Sequence, residues 1–311
     1  MRIVFMGTPE SAVPSLRRLM DDGHEIVAVW TQPDKPAGRG KKLHQAPVKE
    51  FAVQNELTLH QPAKIKTPEA KELFASHNAD VAVVVAYGKI LPAEFLNAPK
   101  HGCLNVHFSL LPKYRGAAPV NWAIVNGEPR TGVTTMKVIE ELDAGPILLQ
   151  EAAQIGEGEI APELLRRLAE IGAGLLSETL RNLEEIEPKP QISEEASLAP
   201  LLKREDGKID WSMDAFAIER RVRGFQPWPN AWTMFNSRRL IIWQAIPESR
   251  RHTSLRHGQI VKAEGENLII AAGDGTALRV LQLQPEGSRR MTARDFMNGT
   301  HIEIGALLGP T

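Results

Sequence analysis

The sequence predicts an α/β protein, with a mostly parallel sheet covered by helices in the first part and a smaller domain of short strands after it. Three observations carry this. Short apolar runs of strand length, at Arg2–Met6, Glu25–Trp30, Val81–Ala86 and Gly102–His107, alternate with helically spaced segments at Ser11–Asp22 and Thr67–Ser76. Alternation of this kind builds a parallel sheet with helices on its faces. The pattern then changes after residue 206 to strand-length runs separated by turn residues. Finally, 311 residues with 42 % hydrophobic content exceed one average domain and can bury a substantial core.

Taken in order, the first helix is preceded by Ser11 with Pro14 in its first turn. Thr67 and Pro68 supply a capping hydroxyl and a proline at the first helical position, where its missing N–H has no intrahelical partner to lose. Ligands of such sheets sit beyond the carboxyl ends of the strands, where Gly7-Thr8-Pro9, Tyr87-Gly88 and Asn105–Ser109 fall. Ala161–Glu185 has leucines and isoleucine three and four apart and reads as a long helix closing a first domain of residues 1–186. Residues 187–206, with Pro188, Pro190, Pro200 and several charges, lack an apolar period and read as a linker. In residues 207–311 a short helix near Asp214–Arg223 precedes the runs Ala231–Phe235, Leu240–Ile246, Gly258–Lys262, Leu268–Ala272 and Ala277–Leu283, with a small helix near Thr292–Met297. About five short strands and one small helix suggest a compact β-barrel of oligonucleotide-binding type.

The bulk properties exclude several classes. No uninterrupted apolar run is long enough for a membrane span, and the opening Met-Arg-Ile-Val-Phe-Met-Gly is too short for a signal peptide, so a cytoplasmic protein is expected. The single cysteine, Cys103, allows no disulfide framework and no cysteine-rich zinc site, and its apolar strand makes it a small hydrophobe rather than a nucleophile. The formal net charge is −1, with a basic lean from Lys203 onward. That lean fits a polyanionic partner or a solvated surface equally well. The absence of an obvious apolar dimer face leads to an expected monomer.

The chemistry-bearing residues form a compact set. Asn105 and His107 are two apart in an extended segment, which puts both side chains on one face and Val106 on the other. Asp143 follows in the turn Leu-Asp-Ala-Gly-Pro. An amide, an imidazole and a carboxylate near strand ends suit acyl transfer without metal or cysteine, because one carbonyl oxygen could meet both Asn105 and His107. A satisfied strand-end histidine and a turn-capping aspartate are the alternative readings. Gly7-Thr8-Pro9-Glu10-Ser11 lacks the Gly-x-Gly-x-x-Gly spacing of a dinucleotide site and reads as a tight turn. The segment Thr31–Lys42 carries Lys35, Arg39, Lys41 and Lys42 against Asp34, with glycines at 38 and 40; it suits an RNA backbone, or is a solvated loop. Trp211, Trp228, Trp232 and Trp243 are expected in the core or at a domain contact rather than as base-stacking platforms.

Five blocks together resemble the methionyl-tRNA formyltransferase family: Phe5–Pro9; Thr31–Gly40; Asn105-Val106-His107 with Ser109–Pro112 and Arg115-Gly116; Leu142-Asp143 with Gly145-Pro146; and Val222–Phe225 with Pro227-Trp228-Pro229. The match runs over nearly the whole chain. The Asn-x-His and Ser-Leu-Leu-Pro block is shared by enzymes that use 10-formyltetrahydrofolate as formyl donor, so it points to the donor and not to the acceptor. The resemblance implies a Rossmann-like formyltransferase domain followed by an oligonucleotide-binding-like barrel that helps hold tRNA. It implies formylation of the methionine α-amine on initiator methionyl-tRNA, for translation initiation, with Asn105, His107 and Asp143 catalytic and no metal. It further implies a folate pocket with Tyr87, Gly88 and Ile90 in its wall and Ser109, Leu110, Leu111 and Pro112 as its lip. Lys35, Arg39, Lys41 and Lys42 would meet the acceptor stem, Arg39 foremost. Asn230 stands where glycine is expected and Ala144 where threonine is common. A formyltransferase acting on an amino sugar nucleotide shares the catalytic block, but the basic loop counts against it. A glycinamide ribonucleotide formyltransferase should be shorter, and a non-catalytic RNA-binding protein would not need the trio.

Overall fold

A computed structural model describes residues 1–37, 42–249 and 255–309, with the backbone alone at 35–37 and 42–44. The chain divides into two units. One comprises Met1–Pro119, Arg130–Gln154 and Leu165–Ala199; the other comprises Val120–Pro129, Ile155–Leu164 and Pro200–Thr311.

The first unit contains β1 (Arg2–Gly7), β2 (Glu25–Trp30), β3 (Lys35–Ala37), β4 (Lys42–His44), β5 (Leu59–His60), β6 (Val81–Val85), β7 (Cys103–His107), β8 (Arg115–Gly116), β9 (Arg130–Lys137), β10 (Ile147–Gln154) and β11 (Leu198–Ala199). Seven of these form one sheet in the order β10-β9-β7-β6-β1-β2-β5. The five strands from β7 to β5 run parallel, and β9 is antiparallel to both neighbours. β8 pairs with β11, and the backbone of β3 pairs with that of β4.

Among the described residues the helices are α1 (Val13–Asp21), α2 (Pro47–Gln54), α3 (Pro68–Ser76), α4 (Ala93–Asn97), α5 (Pro119–Val125), α6 (Ala161–Arg181), α7 (Ala215–Gly224) and α8 (Ala293–Gly299). Strand periodicity sends Val4, Met6, Ala28, Trp30, Ala82 and Cys103 into one layer with Phe74 of α3 and Phe95 of α4. Phe74 stacks on Phe95 at 3.9 Å between ring centroids, and both rings meet Trp30 edge-on. Truncating either phenylalanine should cost about 3–5 kcal/mol. Alternate residues Ile3, Phe5, Val29, Val83 and Leu104 are equally buried, so the sheet is covered on both faces. Thr67 caps α3 as expected, its Oγ1 accepting from the Ala70 N–H at 3.3 Å. Ser11 does not cap α1: it lies inside a short 3-10 turn, Glu10–Ala12, and Ala12 precedes the helix without a side-chain cap.

The second unit is an antiparallel sheet of β12 (Ala231–Phe235), β13 (Arg238–Glu248), β14 (Ile260–Glu264), β15 (Asn267–Ala271), β16 (Ala277–Pro285) and β17 (Met291–Thr292), in the order β12-β13-β16-β15-β14 with β17 on β16. Ile218 and Val222 of α7 and Phe296 of α8 share its core with Leu240, Ile242, Ile270, Leu278 and Val280. Asp214 caps α7 through the Ala217 N–H, and Thr292 caps α8 through that of Asp295. α5 packs here too, with Asn121 Nδ2 donating to the Gly224 carbonyl and Trp122 edge-on to Phe225. Asn230 takes a left-handed φ of 62°, which asparagine tolerates, and its Nδ2 donates to the Pro227 carbonyl.

Trp211 is in the core, with Nε1 donating to Thr233 Oγ1. Trp232 and Trp243 are half-buried beneath Arg239 and Arg290. Trp228 is 52 % exposed and so is not in the core, the first of the two placements expected for it.

Candidate active site

A cavity of about 450 Å³ opens beyond the carboxyl ends of β6 and β7 in the first unit. Asn105, His107 and Asp143 all line it, as do Tyr87, Gly88 and Ile90. Gly7-Thr8-Pro9, at the end of β1, does not.

Strand parity sets the site. Asn105, Val106 and His107 all border the cavity, and the Val106 side chain reaches α6, where Gly172 makes room for it; a Cβ there would stand 2.9 Å from Val106 Cγ1. His107 is buried, and its Nε2 lies 2.9 Å from the Tyr114 carbonyl. A carbonyl only accepts, so Nε2 carries the hydrogen and Nδ1 is the nitrogen turned to Asp143. Nδ1 and Asp143 Oδ2 are 3.7 Å apart, beyond hydrogen-bond length. The Tyr114 carbonyl, and not Asp143, is therefore the hydrogen-bond partner that orients the ring.

Asp143 Oδ2 instead accepts from the Gly116 N–H at 2.8 Å. Asp143 itself sits at φ 50°, in the left-handed region, which presents the carboxylate from the loop between β9 and β10. Gly116 has φ 125°, and a Cβ on it would meet the Ala199 carbonyl oxygen at 2.5 Å, so β8 and β11 pair this closely only because the position is glycine. The Asn105 amide, half-buried in the cavity wall, has no hydrogen-bond partner among the described residues.

The remaining wall is mainly apolar, from Val84, Leu91, Met136, Val138 and Ile139, with Glu140 and Glu141 at one side. Tyr87 is buried with no partner for its hydroxyl among the described residues, and burial pushes that phenol up to about 12, so it is neutral. Its carbonyl accepts from Gln32 Nε2 at 2.9 Å and Thr8 Oγ1 at 3.3 Å, which fixes the Tyr87-Gly88 turn.

Ser109, Leu110, Leu111 and Pro112, expected as the pocket lip, are not among the lining residues. The chain after β7 folds back into the protein. Ser109 is fully buried with Oγ donating to the Lys113 carbonyl, the Leu111 N–H donates to Thr134 Oγ1, and the Leu111 carbonyl accepts from Gln150. These residues brace the loop that carries Tyr114 and Gly116. Cys103 is buried, with its thiol pushed up to about 12 by that burial, and is no nucleophile.

Of the expected RNA-contacting residues, Arg39 and Lys41 lie outside the described residues, and Lys35 and Lys42 are described only in their backbone. Asp34 pairs with Lys49 at 2.5 Å and accepts from Gln61 Nε2. In the second unit the α7 arginines are engaged internally: Arg223 with Glu219, Arg220 with the Val125 carbonyl, and Arg221 over the Phe225 ring. Arg238, Arg289 and Arg290 are exposed. Arg250 and Arg251 lie outside the described residues. Among the described residues there is no group of three or more His, Cys, Asp and Glu that could hold a metal, and no helix long and apolar enough to cross a membrane.

Residues 1–180 match the family model "Formyl transferase", and residues 201–301 match "Formyl transferase, C-terminal domain". The chain is 48 % identical over 312 residues to a methionyl-tRNA formyltransferase of Caldanaerobacter subterraneus subsp. tengcongensis, covering 99 % of this chain and all of that one. It is 43 % identical over 310 residues to that of Bacillus subtilis, covering 99 % and 98 %. Among solved structures, WlaRD, a sugar 3N-formyl transferase crystallised with dTDP and 5-N-formyl-THF, aligns at TM-score 0.66 and 19 % identity over 93 % of this chain and 99 % of that one. HypX from Aquifex aeolicus in complex with tetrahydrofolic acid aligns at 0.63 and 19 % over 98 % and 50 %. At that identity the two structures speak to the fold alone. The full-length identities and the matched domain models go further: the chain belongs to the methionyl-tRNA formyltransferase family.

Proposed function

We propose that this protein transfers the formyl group of 10-formyltetrahydrofolate to the α-amine of methionine on initiator methionyl-tRNA, for translation initiation. The observation that carries the mechanism is the Asn105 amide, unpaired among the described residues, in a cavity wall shared with His107 and Asp143. A preorganised donor with no protein partner is what a developing oxyanion requires. The cavity volume and apolar walls suit a pterin-sized ligand held by few polar groups.

The amine attacks the formyl carbon, forming a C–N bond and a tetrahedral oxyanion that the Asn105 amide stabilises. His107 Nδ1 and Asp143 Oδ2 are two proton acceptors 3.7 Å apart, a spacing that one N–H group can bridge. They receive the proton the amine gives up, and the protonated ring then faces the same oxygen as a second donor. Collapse breaks the bond to folate N10, which takes up a proton. The intact basic segment 31–42 and the second unit hold the tRNA, and Arg39 is the main contact in that segment.

The test is a formyl-transfer assay with purified protein, 10-formyltetrahydrofolate and three arms: charged initiator tRNA, an amino sugar nucleotide, and no acceptor. Formylated methionyl-tRNA should appear only in the first. Product in the sugar nucleotide arm alone would assign the other acceptor class.

A further inference from the structure

We infer that Gln191 is a positioning residue for Asp143, acting from the proline-rich segment that follows the first domain's last helix. The inference rests on the role of Asp143 proposed above. Gln191 Nε2 donates to the carbonyls of Asp143 and Gly145, each at 2.8 Å, and its Oε1 accepts from Arg115 Nε at 3.0 Å. Carbonyls only accept and a guanidinium only donates, so these partners fix which end of the amide is which. One side chain thus uses both amide hydrogens on the turn that presents the carboxylate, and its oxygen on the residue beside Gly116, whose N–H binds that carboxylate.

The segment around it is stitched to the same unit. Lys189 and Ile147 exchange two backbone hydrogen bonds of 2.8 Å, the Arg115 N–H donates to the Ser197 carbonyl, and Tyr114 N–H donates to Ser197 Oγ. Asp143 takes a left-handed φ of 50°, which aspartate tolerates, and its carbonyl is fixed there by Gln191. Without those two donors the carboxylate keeps the Gly116 N–H, but the turn that carries it loses its hold on the Asp143 and Gly145 carbonyls and the carboxylate is placed less tightly beside His107 Nδ1.

The experiment compares single-turnover formyl transfer by wild type, Gln191→Glu, Asp143→Ala and the double variant. Gln191→Glu keeps the acceptor for Arg115 and removes both donors to the turn; Gln191→Met, similar in size and without hydrogen bonds, is the second variant. Each Gln191 variant should lose about tenfold in rate with folate affinity close to wild type and a melting temperature lower by about 5 °C at most, and should add less than about twofold to the loss in the Asp143→Ala background. Wild-type rate in Gln191→Glu, or an undiminished loss on top of Asp143→Ala, overturns the inference and leaves the catalytic trio standing. A normal rate in Asp143→Ala alone overturns the trio, and this inference with it.

Discussion

Replacing Asn105 by alanine should separate catalysis from folding. The amide is half-buried at the cavity wall and meets no protein group among the described residues, so its removal strands no buried partner. The stability cost should stay below about 1 kcal/mol, a melting shift of roughly 2–4 °C at most for a chain of this size. The kinetic cost is set by the donor it offers to the oxyanion. A preorganised donor contributes about 2.7–4 kcal/mol to the transition state, and at about 1.36 kcal/mol per decade this predicts a rate roughly a hundred- to a thousand-fold lower. Rapid-quench single-turnover formylation of methionyl-tRNA reads that rate, with a thermal melt and a folate titration alongside. A rate within threefold of wild type would refute the oxyanion role. A large fall in melting temperature would show that the amide is a structural group instead.

Gly116→Ala should destabilise the protein by about 1–3 kcal/mol and slow transfer, because the new Cβ meets the Ala199 carbonyl at 2.5 Å and displaces the N–H that binds Asp143; an unchanged melting temperature contradicts this. The pH dependence of stability should carry the signature of His60 and His77. Trp30 Nε1 donates to His77 Nε2 at 3.3 Å, so that nitrogen must be unprotonated, and burial holds both imidazoles below their usual 6.5, His77 further lowered by His60. The unfolded chain then binds more protons, so stability is complete above about pH 6.5 and falls as pH drops below it. A His60→Phe/His77→Phe double variant should lose less melting temperature than wild type between about pH 7.5 and 5.5; equal losses would exclude the pair as the cause. Arg39→Glu should raise the tRNA Michaelis constant while folate binding is preserved, and unchanged tRNA kinetics would remove Arg39 from the contact.

Four of the five parallel strands were legible because β1, β2 and β6 are mainly apolar runs, the mark of strands covered on both faces, and β7 keeps apolar residues at Cys103, Leu104 and Val106; β5, two residues long, left no such run. β9 was not, because its buried residues include Thr131, Thr134 and Thr135. Two of those hydroxyls are satisfied by partners distant in sequence, Thr134 by the Ser109 carbonyl and Thr135 by Thr179, which no local pattern discloses. Asn105 and His107 declared themselves through a period of two. The ring's true orienter, the Tyr114 carbonyl, is a backbone group and has no sequence signature. Ser109–Pro112 misled because adjacency to a site residue does not mean facing the site. Gln191 was hidden for the opposite reason: prolines and charges gave its segment the look of a linker, while its hydrogen bonds reach back 48 and 46 residues.

The proposed function places one reactive formyl carbon where Asn105, His107 and Asp143 converge. A crystal structure with an unreactive formyl-folate analogue measures it directly. The account predicts the formyl oxygen about 2.7–3.1 Å from Asn105 Nδ2, with the open face of the carbon toward His107 Nδ1 and Asp143 Oδ2. A formyl group bound outside this cavity, or inside it and turned away from Asn105, would contradict it.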